Sequence, residues 1–109
     1  MSEDLLATLR KHISWRFTAW RVAEHGGTVT LEEMPGELVP GEATLGMTLA
    51  LPDGFTKIAG WLQPPITCAL DAKGFSNACW LLDLAMDKHL GTDLVADEAR
   101  FKTWERASR

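Results

Sequence analysis

The side chains of this chain best suited to proton transfer, nucleophilic attack or metal binding are His12, His25, His89, Cys68 and Cys79. Their spacing assembles no site. There is no C-x-x-C or H-x-x-x-H pair to hold a metal and no G-x-S-x-G elbow to present a nucleophile. Neither G-x-G-x-x-G nor G-x-x-x-x-G-K-[ST] occurs, so no loop is built to cradle a phosphate. Cys79 falls on a stripe expected to be buried, where a thiol is inert. His89 lies on an apolar flank, a place more often held by a structural histidine than by a ligand. No catalytic residue, metal set or cofactor is therefore expected, and the chain reads as non-enzymatic.

The polar residues that do cluster are acidic. The connector from Leu31 to Glu42 (LEEMPGELVPGE) places Glu32, Glu33, Glu37 and Glu42 around two Pro-Gly turns. One reading is a solvated hairpin loop. The other is an anionic prong that meets a basic protein surface, where complementary charge speeds encounter and sets register. Asp83 and Asp87, one turn apart, either extend that field or form a wet helix edge.

These residues are positioned by a helix expected over 75–90 (FSNACWLLDLAMDKHL). At about 100° per residue, Phe75, Cys79, Leu82, Met86 and Leu90 make one narrow apolar face, flanked by Ala78, Ala85 and His89. Trp80 and Leu84 point the other way, and Leu81 lies between the two sets. A helix apolar on two sides is expected to lie between layers or between subunits. Gly91 is set to end it in a left-handed cap.

The remaining elements follow from periodicity. Residues 3–24 read as one helix with Leu6, Leu9, Ile13, Phe17 and Trp20 in its core stripe, started by Ser2 and ended by Gly26-Gly27. A second line on that helix, Trp15, Ala19 and Val22, is covered by another part of the chain, such as the last helix, or forms an interface. Alternation predicts strands over 28–33, 44–51 and 55–62, the last two joined by the Pro52-Asp53-Gly54 turn. Pro64-Pro65 breaks the ladder, and Ile66, Cys68 and Leu70 allow a short fourth strand. A final helix over 94–107, capped by Thr92 or Asp93, has a thin apolar face of Leu94, Phe101 and Trp104 and is expected to dock lightly. The whole of 1–109 is read as one α+β domain: an antiparallel meander of three to four strands, one N-terminal helix and two C-terminal helices.

Bulk properties narrow the function classes. The chain has 109 residues and a net charge of −4, which disfavours non-specific binding to nucleic acid or an anionic membrane. No apolar run reaches the roughly 18 residues of a membrane span. The N-terminal stretch does not read as a secretory signal, and two free thiols suit a reducing cytoplasm. The helix–three strands–helix order resembles the double-stranded-RNA-binding domain in element order. That domain grips phosphates with a lysine cluster at its second helix, whereas residues 71–76 (DAKGFS) contain one lysine, so nucleic-acid binding is not expected.

The expected function is accordingly a small acidic protein-binding module, an adaptor or inhibitor and a homodimer. Trp15, Ala19, Val22, Trp80 and Leu84 are its interface candidates, and Glu32, Glu33, Glu37 and Glu42 its polar contacts. In size and charge it resembles small phage-encoded inhibitors of nucleic-acid-handling machines, such as anti-CRISPRs. The alternative is a small-molecule or enzymatic site between sheet and helices, with Trp61, Cys68 and His89 the residues to watch.

Overall fold

The computed structural model describes residues 2–34, 43–63 and 73–108. Helices α1 (Ser2–Arg10) and α2 (Ile13–Glu24) precede strands β1 (Thr28–Glu33), β2 (Ala43–Ala50) and β3 (Thr56–Gln63), and helices α3 (Lys73–Leu90) and α4 (Leu94–Ala107) follow. The strands form an antiparallel sheet in the order β1-β2-β3. The architecture is mixed α+β. The expected fourth strand at 66–70 and the acidic tip with Glu37 and Glu42 lie outside the described residues. No described helix is long and apolar enough to cross a membrane.

Strand alternation decides which sheet face is covered. Leu31 pairs with Met47 and Leu45 with Trp61, which puts these side chains on one face. There Leu45, Met47 and Leu49 are fully buried under Phe75, Cys79, Leu82 and Met86 of α3. Four members of the α3 stripe thus do what their spacing predicts, whereas Leu90, at the end of the helix, is 39% exposed. The opposite sheet face carries threonines, glycines and the exposed Ile58. The hairpin turn also forms as its residues dictate: Gly54 N–H donates to the Leu51 carbonyl and Phe55 N–H to Asp53 Oδ1.

The N-terminal helix differs from its periodicity. It is broken at Lys11-His12 into α1 and α2. His12 adopts an extended backbone (φ −68°, ψ 142°) and its Nδ1 accepts from Ser14 N–H, so an imidazole caps α2. Burial and the nearby Arg16 charge lower the His12 pKa, which keeps the accepting nitrogen neutral. The break rotates α2 relative to a continuous helix. Leu9 of α1 and Trp15 and Val22 of α2 enter the core, Ile13 turns outward, and Phe17 and Trp20 turn toward α4.

Two glycines fix the approach of helix to sheet. A Cβ on Gly27 would stand 2.7 Å from the Ala50 carbonyl oxygen, so only glycine lets α2 run straight into β1 beside β2. Gly91, at φ 73°, ends α3, and its N–H donates to the Asp87 carbonyl. Asp93 then caps α4 by accepting from Val95 N–H. That last helix is docked firmly rather than lightly. Phe101 is 2% exposed and lies 5.4 Å from Phe17, 5.5 Å from Trp20 and 5.9 Å from Trp104, ring centroid to centroid.

Candidate interaction surfaces

The polar centre of the molecule is Arg21, whose guanidinium is fully buried where α2, α3 and α4 meet. Its Nε donates to Asp97 Oδ2 at 2.7 Å, and Nη1 to the Asp83 carbonyl at 3.1 Å and to Asp83 Oδ1 at 3.4 Å. Nη2 donates to Thr92 Oγ1 at 3.0 Å and to Asp87 Oδ1. Thr18 Oγ1 donates to Asp83 Oδ2 at 2.8 Å, Leu94 N–H to Asp87 Oδ2 at 3.1 Å and Arg100 Nη1 to Asp97 Oδ1 at 3.1 Å. The arginine's fork of donors is therefore spent on structure.

The carboxylates around it titrate in opposite directions. Burial pushes Asp83 up to about 6, against the pull of Thr18 and Arg21. Burial also acts on Asp97, but the hydrogen bonds and charges of Arg21 and Arg100 outweigh it and hold that group below the usual carboxylate range. Cys79 is driven up to about 12, first by burial and then by the Asp83 charge. At neutral pH it is a protonated, unreactive thiol.

The sequence reading gave Asp83 and Asp87 either to an anionic field or to a wet helix edge. The structure corrects this, since Asp83 is 3% exposed and both carboxylates serve Arg21. The signal available beforehand was weak. Arg21 lies next to Val22, off the line Trp15, Ala19, Val22, and its acidic partners are 62 to 76 residues away.

The interface candidates separate into two groups. Trp15 and Val22 are 8% and 1% exposed, so both are core residues and neither is free to anchor a partner. Phe75 covers Trp15 at 6.4 Å, and Ala19 is half-buried against the same cluster. Trp80 and Leu84 keep 53% and 38% of their surface, and Leu81 beside them 51%. They share the outer face of α3, away from the sheet, with Asn77 and Lys88 beside them. Glu32 and Glu33 are exposed at the end of β1.

Among the described residues the sheet–helix interval is lined by side chains of the core, and two of the residues named for a pocket there, Trp61 and His89, do not converge. Trp61 packs on Phe75 at 5.5 Å, near the start of α3. His89 is stacked on Phe55 at 4.0 Å near the other end, with Nε2 2.6 Å from Asp53 Oδ2. Fourteen helical residues separate those ends, about 21 Å. Cys68 lies outside the described residues. Among the described residues no group of three or more His, Cys, Asp and Glu side chains is arranged to hold a metal ion.

Among the described residues a concavity lies beside α4. A groove of about 590 Å3 runs between α2 and α4, lined by Trp15, Ala19, Trp20 and Trp104 with Arg10, Arg16, Glu105 and Ser108. No protein-family model matches the chain, nor does any curated protein or solved structure. Function must therefore be read from these surfaces.

Proposed function

We propose that the chain is a non-enzymatic protein-binding module, an adaptor or inhibitor that works as a homodimer in the cytoplasm. One observation carries the reading: Trp80, Leu81 and Leu84 stand exposed together on the outer face of α3, on the helix whose other side anchors the core. An exposed tryptophan within an apolar patch on a helix marks an interaction site, tryptophan being enriched at interface centres. Rigidity matters because little ordering entropy is then lost on association.

The net charge of −4 and the exposed Glu32 and Glu33 favour a partner with a basic surface. A machine that handles nucleic acid presents such a surface, which is the physical content of the inhibitor reading and of a phage or mobile-element origin. The test is sedimentation velocity on the full chain beside Trp80→Glu and Leu84→Lys. Both changes fall on exposed positions, so the fold should survive while the dimer dissociates. A wild type that sediments as a monomer at every concentration would remove the homodimer from the proposal. Binding of a captured partner that is indifferent to both substitutions would remove the α3 face.

A further inference from the structure

The groove between α2 and α4 is independent of the α3 face and has a different make-up. Its hollow exists because Ala19, four residues after Trp15 and next to Trp20, carries only a methyl among indoles. Trp20 and Trp104 stand at 6.0 Å between centroids with 37° between ring planes, and Trp104 keeps 49% of its surface. Mostly apolar walls and a volume of about 590 Å3 are within the range of small-ligand sites.

Charge narrows the ligand class. Arg16 Nη1 and Glu105 Oε2 are 2.7 Å apart, so these two largely cancel at the rim. Arg10 has no carboxylate partner among the described side chains. One of its N–H groups donates to the Leu31 carbonyl at 3.0 Å, which fixes the guanidinium, and no other described side chain or carbonyl is hydrogen-bonded to its remaining donors. A tethered guanidinium with no carboxylate partner among the described side chains, on a residue that lines an indole-walled hollow, suits one chemistry: a flat apolar body that stacks and one anionic group that takes a charge-assisted hydrogen bond. We propose that this groove binds a small arene carboxylate, its ring laid on the Trp20 and Trp104 indoles over Ala19 and its carboxylate on Arg10.

The test compares 1-naphthoate with its neutral analogue 1-naphthalenemethanol, titrated calorimetrically into the full chain and followed by the indole N–H signals in 15N-labelled protein. The expected result is saturable binding of one naphthoate per chain. It should move the signals of Trp20 and Trp104 and leave that of Trp80 in place. Arg10→Gln should weaken naphthoate about tenfold or more and leave the alcohol unchanged, because only the anion uses the guanidinium. Ala19→Leu should abolish both by filling the hollow, and if it disturbs the fold, the exposed Arg10→Gln still decides. Any of four outcomes overturns the proposal. These are absence of saturable binding at millimolar naphthoate, equal affinity for acid and alcohol, and shifts confined to Trp80. The fourth is groove signals that move with protein concentration alone, which would mean that a second copy fills the groove.

Discussion

Asp83 and Asp97 are held by the same arginine, yet burial governs the first and ion pairing the second. Asp83 has a 3.4 Å side-chain contact with Arg21 and almost no solvent, whereas Asp97 has a 2.7 Å contact, a second arginine and more water. The folded Asp83 carboxyl, at about 6, binds its proton more tightly than the unfolded group does. Its charged form therefore costs the folded state above pH 6, and stability should rise as pH falls from 7 toward 4. A shift of this size corresponds to about 3 kcal/mol at full development. Urea midpoints at pH 7, 6 and 5 should climb in the wild type and stay nearly level in Asp83→Asn, which keeps an acceptor for Thr18. Parallel slopes in the two proteins would show that Asp83 titrates normally.

At the scale of elements, legibility in the sequence depended on how local the cause was. The α3 stripe and the strand alternation are local patterns, and Phe75, Cys79, Leu82, Met86, Leu45, Met47 and Leu49 are buried as their spacing dictates. The break at His12 was hidden because Leu9, Ile13 and Phe17 continue a helical period across it, and because histidine is not an ordinary cap. The docking of α4 was underestimated because Phe101 finds Phe17 and Trp20 only after α2 has rotated. The aromatic groove was invisible for the same reason, since it joins residues about 90 positions apart. Leu82, 1% exposed beneath the sheet, gives the sharpest check on the local part. Leu82→Ala should cost about 2–5 kcal/mol by urea unfolding. Val95→Ala, at a position 76% exposed on α4, should change stability by less than about 0.5 kcal/mol.

On the scale of the whole molecule, two kinds of adhesive divide the labour. The sheet and α3 are joined by a dry apolar layer, while α4 is joined to the rest by Phe101 and by the Arg21 cluster. A buried ion cluster tolerates the loss of a member poorly, because the remaining charges keep their desolvation cost without their partner. Arg21→Met leaves Asp83 buried and unpaired and should cost about 3–5 kcal/mol. The loss should be uneven across the fold. Hydrogen exchange should show α4 and the end of α3 near Asp87 opening first, with β2 amides still protected, since the described hydrogen bonds of the cluster join α2, α3 and α4 and involve no residue of β2. Arg16→Gln is the matched control: its ion pair to Glu105 also joins α2 to α4, but Arg16 is 44% exposed, so α4 protection should fall by no more than about 1 kcal/mol. If Arg21→Met released α4 and β2 together, the cluster would be a keystone of the entire fold rather than the joint of one helix.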